Sequence, residues 1–309
     1  MTADADRTRI VPAFGDSLPK AVYSTGDEGA QTAFQQVGRY QILERIGRGA
    51  MATVFKAYDP EINRTLALKF LQPDLCVEDE HRSRFLREAK AAGGLSHPNI
   101  VTVFDVGEIQ GRPYIAMELL DGTPLSELMR PGAGMPIRDV VEIGIQLARA
   151  LDYAHNKGIF HRDIKPSNIM RLRDGNTIKV TDFGIARIDG GEDTQHTRVG
   201  TVLGTPQYMS PEQAMGEKVD GRSDLFSTGV VLYQLLAGQA PFEATSIVTL
   251  AHRIAKEDPK SIEKLRGDVP PALRRVIERC LKKQPDKRFQ TGRELAVALA
   301  KVIRDINEE

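Results

Sequence analysis

A chain of 309 residues, of which 41% are apolar and 27% charged, has the length and composition of a folded globular protein. Lysine plus arginine and aspartate plus glutamate number 42 each, which excludes a global field that favours nucleic acid or an anionic membrane. The two cysteines, Cys76 and Cys280, are far apart and lack a CxxC partner, so neither a disulfide framework nor a zinc cluster is indicated.

The beginning of the chain suits neither a secretory signal nor a packed element. Residues 1–38 are rich in Asp, Thr, Ser, Gly, Gln and Pro and show no sustained period of 2 or 3.6, which predicts a flexible tail. The most apolar long run, Leu225–Phe242, is interrupted by polar residues and predicts a buried helix rather than a membrane span. We therefore expect a cytoplasmic protein without a membrane segment.

Short strands are predicted from Arg39 to about Leu119, with one amphipathic helix among them at roughly Glu78–Leu95. The strands are expected at Tyr40–Ile46, Thr53–Tyr58, Thr65–Leu71, Asn99–Val106 and Tyr114–Leu119. Helices are expected from about Ile137 onward, and later at Ser223–Leu236, Ser246–Lys256, Pro271–Leu281 and Thr291–Ile306. The fold class is therefore α+β. A small antiparallel-sheet lobe over about 39–119 would join a larger, mainly helical lobe over about 122–306, and a cleft between lobes suits a small ligand.

The most informative segments are His161–Asn168 and Asp182–Gly184. Asp163 can accept a proton from a hydroxyl, and Lys165 can neutralise charge on a moving phosphoryl group. Asn168 and Asp182 supply oxygen ligands of the kind that hard metal ions prefer. This combination is typical of phosphoryl transfer.

Two features of the predicted small lobe fit the same chemistry. Gly47 and Gly49 form a glycine-rich hairpin whose backbone could fold over phosphates, although taken alone the loop fits an ordinary tight hairpin better. Lys69 lies on an apolar strand, where a cation is costly unless it is paired or snorkels to an edge. Glu88, on the core-facing side of the predicted helix, is its expected partner, and Glu78 and Glu80 are rivals nearer the helix start.

The ordered set of glycine loop, Lys69, Glu88, His161–Asn168, Asp182–Gly184 and Ser210–Glu212 resembles the eukaryotic-like (Hanks-type) protein kinases. The resemblance covers about Tyr40–Ile306 and is greatest to bacterial serine/threonine members, and it places the kinase domain at residues 39–306. One departure is Ala52, which stands where the family has a third glycine. The resemblance implies a two-lobe kinase fold, ATP as phosphoryl donor, Mg²⁺ with Mn²⁺ as an alternative, and Ser/Thr hydroxyls of proteins as acceptors.

The resemblance also implies roles for single residues. Asp163 would accept or orient the hydroxyl proton, Lys165 would stabilise the transferring group, and Asn168 and Asp182 would bind the metal. Lys69 would hold the α- and β-phosphates, with Glu88 fixing its direction. The implied nucleotide pocket comprises Ile46, Gly47, Gly49, Val54, Ala67, Lys69, Met117 as gatekeeper, Glu118, Leu120 and Met170. For Val54, Ala67 and Met170, plain core packing is an equally true description.

Lys165 together with Thr205, in the implied substrate loop, is the pattern of serine/threonine rather than tyrosine kinases. Autophosphorylation is expected at Thr197 or Thr201 and next at Thr194, with Arg162 receiving the phosphate, although a Thr-rich loop can also be merely solvated. The resemblance further implies a buried pair of Glu212 with Arg288, and Asp224 as a support for the His161–Asp163 backbone.

The expected partners are protein substrates, without nucleic acid, and a second copy of the chain through the small lobe. The dimer hypothesis rests on a soft helix end at Gly93–Gly94, which is equally explained as an ordinary C-cap. The main alternative function is an ATP-binding pseudokinase that serves as a scaffold. It predicts loss of Lys69, Asp163 or Asp182, and all three are present. A small-molecule kinase is a second alternative, which Thr205 and Pro211-Glu212 disfavour.

Overall fold

A computed structural model describes residues 35–49, 51–76, 79–109, 111–183 and 206–308, without the side chains of Gln35, Asp79, Glu80, Arg84 and Glu88. The small lobe is built on one antiparallel sheet. Its strands are β1 Gln35–Val37, β2 Tyr40–Arg48, β3 Ala52–Asp59, β4 Arg64–Leu71, β5 Val103–Ile109 and β6 Arg112–Met117, in the order β1-β2-β3-β4-β6-β5. Helix α1, Asp79–Gly93, precedes β5 in the chain and packs on this lobe.

Strand β4 is buried on both of its faces. Leu66, Leu68 and Phe70 alternate on the face that packs with Tyr40 and Tyr114 in one apolar cluster. On the other face Leu71 packs with Ile115 of β6 and with Phe85 and Ala89 of helix α1. Lys69 shares this second face and is 7% exposed, so the prediction of a lysine on an apolar strand is confirmed.

Strand β1 corrects the predicted extent of the tail. Gln35–Val37 pairs antiparallel with Tyr40–Ile42 of β2, and the side chain of Val37 is 4% exposed within the small-lobe core. The folded domain therefore begins at Gln35, four residues before its expected start at Arg39. A strand of three residues is too short to produce a visible period in sequence, and its order depends on pairing with β2. Residues 1–34 lie outside the described part of the chain.

The large lobe is mainly helical. Its helices are α2 Leu125–Leu128, α3 Ile137–His155, α4 Pro211–Met215, α5 Gly221–Ala237, α6 Ile247–Lys256, α7 Ile262–Leu265, α8 Pro271–Cys280 and α9 Gly292–Glu308. A small sheet, with strands β7 Gly122–Pro124, β8 Ile169–Leu172 and β9 Ile178–Val180 in that order, lies at its cleft side. Helix α5 is buried on nearly every side, as its largely apolar composition predicted. Among the described helices, none combines the length and apolarity that crossing a membrane requires.

The predicted strand Asn99–Val106 begins later than expected, and the residues before its observed start connect the two lobes. The sequence pattern favoured a strand over Asn99–Val106, but β5 begins at Val103. The backbone before it bonds to the large lobe: Val180 N donates to Asn99 O at 2.9 Å, and Val101 N donates to Val180 O at 3.0 Å. An apolar run cannot reveal which strand will pair with it, and here the partner is β9.

Candidate active site

The loop that carries Asp163 is anchored by Asp224, which is buried near the start of α5. Its carboxylate accepts hydrogen bonds from His161 N at 2.8 Å, Arg162 N at 2.7 Å and His155 Nε2 at 2.8 Å. Arg162 has a φ of 65°, a left-handed conformation that non-glycine residues rarely adopt. The carboxylate offsets this strain by binding the amides of Arg162 and of the residue before it. The predicted support role of Asp224 is confirmed.

His161 joins this loop to the segment that carries Asp182. Its ring is fully buried, and Nε2 lies 2.9 Å from Thr181 O while Asp163 N donates to Nδ1 at 3.2 Å. A proton on Nε2 satisfies both contacts, so the partners favour the neutral ring with that tautomer. The ring also packs against Phe183, with centroids 4.7 Å apart. The two segments that the sequence singled out are therefore locked together through one histidine.

Asp163, Lys165 and Asn168 form one polar cluster at the cleft. Lys165 Nζ lies 2.6 Å from Asp163 Oδ2, and Asn168 Nδ2 donates to Asp163 O at 2.9 Å and to its Oδ2 at 3.1 Å. The amide nitrogen of Asn168 is thus used inside the protein. Its amide oxygen is the atom that it can offer to a cation.

Lys69 and Asp182 connect the two lobes across the cleft. Lys69 Nζ lies 2.6 Å from Asp182 Oδ1, and the lysine side chain is 9% exposed. Burial by itself raises the pKa of Asp182, but the nearby Lys69 ammonium outweighs it and the net pKa lies below the usual range. Asp182 is therefore a carboxylate at neutral pH. The expected partner of Lys69, Glu88, lies on α1, but its side chain is outside the described structure.

The glycine hairpin connects β2 with β3, where Gly47 lies opposite Val54. A β-carbon at Gly47 would meet Val54 Cβ at 3.8 Å, and one at Gly49 would meet Ala52 O at 3.7 Å. Both are ordinary contacts, and neither glycine has a positive φ. The fold does not itself require glycine at these positions, so a reason for glycine must come from what approaches the loop from outside. Ile46, at 47% exposure, lies at the same hairpin.

The implied nucleotide pocket falls along the cleft. Ala67 and Lys69 of β4 lie opposite Met117 and Ile115 of β6 in register, and Val54 of β3 lies opposite Lys69. Lys69, Met117, Asp182 and Phe183 line one small apolar cavity together. Met170 comes from the large-lobe strand β8, where it pairs with Lys179 and Pro124.

The segment that follows β6, residues 118–120, is called the hinge and contains Glu118 and Leu120. Glu118 N donates to Thr102 O at 2.8 Å, so within this residue the backbone carbonyl is the group left to face a ligand. Its carboxylate accepts from Lys179 Nζ at 2.7 Å and from Thr102 N at 3.3 Å. Lys179 was not expected as a partner of Glu118. Its only sequence signal is a lysine in the short strand before Asp182.

A buried ion pair anchors helix α4 to the rest of the large lobe. Arg288 NH1 and NH2 each lie 2.7 Å from a different oxygen of Glu212, and the two side chains are 0% and 5% exposed. Arg288 also donates to the carbonyls of Lys282 at 2.7 Å and Lys283 at 2.8 Å. The predicted pair is confirmed. Gln213, on the same helix as Glu212, donates to Arg162 O at 2.8 Å and so ties α4 to the Asp163 loop.

Some predicted residues lie outside the described structure, and one residue of the site was not predicted. Thr194, Thr197, Thr201 and Thr205 lie outside the described residues, so their expected roles stay predictions. His155, which the sequence analysis did not select, bonds to Asp224 beneath the loop. A histidine at the end of an amphipathic helix carries no signal of such a contact, because Asp224 lies 69 residues away.

Comparison with known proteins places these features in a family. The family model described as protein kinase domain matches residues 40–298. The chain is 42% identical over 264 residues to a probable serine/threonine-protein kinase of Streptomyces coelicolor, which covers 84% of this chain and 39% of that protein. It is 41% identical over 268 residues to serine/threonine-protein kinase PknB of Mycolicibacterium smegmatis, covering 85% and 43%. The chain thus spans about two fifths of the length of these curated relatives.

A solved structure is also similar over nearly its whole length. The crystal structure of the PknI kinase domain from Mycobacterium tuberculosis matches with a TM-score of 0.71 and 31% identity. The match covers 88% of this chain and 99% of that one. The two-lobe fold that the sequence predicted is therefore confirmed, and the chain belongs to the protein kinase family, with bacterial serine/threonine kinases among its relatives.

Proposed function

We propose that this chain is an ATP-dependent protein-serine/threonine kinase whose catalytic domain spans residues 39–306. The observation that supports this best is the convergence of Asp163, Lys165 and Asn168 with the Lys69–Asp182 pair at one cleft. Each part of phosphoryl transfer has a matching side chain there. The pseudokinase alternative has only Ala52 in its favour, and a backbone amide does not depend on a glycine at that position.

The residues at the cleft fit a divalent metal. Asp182 is ionised and Asn168 can offer its amide oxygen, and Mg²⁺ is commonly held by one or two carboxylates together with substrate phosphates. We propose Asp182 and Asn168 as these ligands for Mg²⁺, with Mn²⁺ as an alternative, because hard oxygen donors suit both ions. When bound, the metal would neutralise charge on the phosphates.

In the proposed reaction Asp163 holds the acceptor hydroxyl and receives its proton. A strong base is not needed, because the loose transition state develops little charge on the attacking oxygen. Lys165, 2.6 Å from Asp163, is within reach of both the base and the group in transfer. Lys69 orients the α- and β-phosphates, with Glu88 as its proposed support. The proposed adenine contacts are backbone groups of Glu118 and Leu120, between apolar surfaces of Val54, Ala67 and Met170.

The test is phosphate transfer from labelled ATP with Mg²⁺ to a generic basic protein. Asp163→Asn keeps the size of the side chain but removes the base, so we expect transfer to be abolished while ATP binding stays near the original value. Asp174→Asn, at an exposed turn of the large lobe, is a matched control that should keep full activity. Undiminished transfer by Asp163→Asn would refute the assignment.

We propose that the kinase phosphorylates its own loop, at Thr197 or Thr201 first and Thr194 next, and that Thr205 belongs to the substrate loop. Arg162 beside Asp163 supports this, since a phosphate carries roughly −2 charge and binds arginine well. Phosphopeptide mapping after incubation with ATP tests it. An active enzyme whose three threonines stay unmodified would contradict the proposal.

We also propose that the chain forms a homodimer through its small lobe. Helix α1 ends at Gly93, and glycine loosens a helix end, so a small-lobe dimer could reposition α1. Specific activity should then rise with enzyme concentration, and a constant value would count against dimer formation.

We place the domain in the cytoplasm because its proposed phosphoryl donor is ATP, and we propose proteins as its substrates.

A further inference from the structure

A second recess, of about 430 Å³, opens beside the hinge. It shares no lining residue with the cavity at Lys69 and Asp182. We call it the hinge recess and define it by residues from both lobes. These are Arg64 and Thr65 at the start of β4, Thr102 and Phe104 around the start of β5, Glu118 and Leu119 of the hinge, and Lys179 of β9.

The lining carries two cations and one carboxylate, and the carboxylate is already engaged. Glu118 Oε2 lies 2.7 Å from Lys179 Nζ and 3.3 Å from Thr102 N. Arg64 stacks on Phe104, with its guanidinium carbon 4.4 Å from the ring centroid. A stacked guanidinium keeps its N–H donors in its own plane, so the stacking leaves them able to bind an anion.

We propose that the hinge recess is a second ligand site, which binds the dianion of a phosphate monoester or of free phosphate. Arg64 offers a planar fork of donors, Lys179 a point charge, and Thr65 and Thr102 hydroxyl donors. Four donor groups match the three or four oxygens of a phosphate better than the two of a carboxylate. Phe104 and Leu119 supply apolar contact for the organic part of an ester.

Occupancy of this site would act on the hinge. An anion at Lys179 competes with Glu118 for the same ammonium group, and Lys179 lies three residues before Asp182 on the strand that leads to it. We therefore expect the bound anion to change the KM for ATP with kcat unchanged. This coupling rests on the proposed kinase function, whereas the binding itself does not.

Binding is tested by calorimetric titration of the full chain with inorganic phosphate, with sodium chloride holding the ionic strength constant. We expect saturable binding that weakens at least about tenfold in Arg64→Gln and only partly in Arg64→Lys. Arg275→Gln removes an equally exposed arginine from α8, far from the recess in the fold, and should bind phosphate like the unchanged protein. Equal affinity in Arg64→Gln would place phosphate elsewhere and overturn the proposal, as would the absence of saturable binding.

Two further measurements distinguish a phosphate monoester from free phosphate and test the coupling to ATP binding. O-phosphoserine that binds more tightly than inorganic phosphate supports a phosphorylated side chain as the occupant, and weaker binding supports free phosphate. In kinase assays, phosphate should shift the KM for ATP in the unchanged protein but not in Arg64→Gln, whose activity without phosphate should be normal. An unshifted KM refutes the coupling alone, and an inactive unchanged protein refutes the proposed function while the calorimetric result stands.

Discussion

Two residues of the candidate active site have backbone conformations that carry strain. Arg162 and Asp182 have φ values of 65° and 61°, and each costs of the order of 1–3 kcal/mol unless its surroundings compensate. Asp224 supplies that compensation at Arg162 through two amide hydrogen bonds. At Asp182 the contacts are the Lys69 ion pair and the bond between the preceding residue, Thr181, and His161. The strain is concentrated where the proposed base and metal ligand must point into the cleft.

The pH dependence of stability should reveal the charge on Asp224. Burial raises the pKa of this group, but the hydrogen bond and charge of His155 and the amides of His161 and Arg162 leave it lowered. A lowered folded pKa contributes stability above the unfolded value of about 3.9, and that stability is lost as pH falls below it through the folded pKa. Asp224→Asn should therefore be less stable at pH 7 and lose less free energy of unfolding on acidification, by up to about 1.4 kcal/mol per pH unit. Urea unfolding between pH 6 and pH 3 measures this, and parallel curves would contradict it.

The buried pair of Glu212 with Arg288 should show strong coupling in a double-mutant cycle. Glu212→Gln or Arg288→Met alone leaves a buried charge without its partner, at a cost of about 3–5 kcal/mol in the free energy of unfolding. The double variant should cost clearly less than the sum. The exposed pair of Arg138 and Glu142 on α3 is the control, since breaking it should change the value by under about 0.5 kcal/mol. Additive effects at Glu212 and Arg288 would show that the pair is not coupled.

At the scale of elements, the large lobe depends on close approach between helices. Gly144 of α3 lies where a β-carbon would be 2.8 Å from Leu299 of α9 and 3.1 Å from Leu232 of α5. Gly292, the first residue of α9, lies where a β-carbon would overlap Ala148 O and would be 2.8 Å from Asp152 N. The contacts at Gly292 are with helix backbone, which cannot move aside as a side chain can. These glycines allow α3 to pack tightly against α5 and α9. The loop that carries Asp163 follows α3 in the chain.

We expect Gly292→Ala to lower the free energy of unfolding by about 1–3 kcal/mol through overpacking. Gly93→Ala at the end of α1 is a matched control, because its nearest contact would be Val103 Cγ1 at 4.0 Å. Alanine there should leave stability unchanged or raise it by up to about 1 kcal/mol, since alanine favours helix. Urea unfolding measures both variants. A Gly292→Ala protein as stable as the original would show that α9 can shift away from α3.

At the scale of the whole molecule, the described contacts between the lobes include three near the cleft. The backbone at Asn99 and Val101 bonds to Val180, Lys179 pairs with Glu118, and Lys69 pairs with Asp182. The last of these links two groups of the proposed catalytic site directly, and the second involves the proposed adenine contact Glu118. Any ligand that alters these pairs therefore acts on the relative position of the lobes as well as on its own site.

The start of the folded domain can be tested by truncation. A chain that begins at residue 35 keeps β1, whereas one that begins at residue 39 loses it together with the buried side chain of Val37. We expect the shorter chain to be less stable by about 1.5–3 kcal/mol, the usual value for burying a large apolar side chain. Thermal and urea unfolding of the two chains compare them directly, and equal stability would restore the boundary expected from sequence.

The amino-acid sequence by itself determined the family and the two-lobe α+β architecture, and it supplied the residues that we propose for catalysis. Spaced motifs such as His161–Asn168 and Asp182–Gly184 identify them because their chemistry needs particular side chains in a particular order. Only the tertiary structure decided several other contacts. Lys69 pairs with Asp182, His155 supports Asp224, Lys179 holds Glu118, and Gln35–Val37 joins the sheet. These contacts depend on how strands and helices are placed relative to one another, and local periodicity carries no information about that placement.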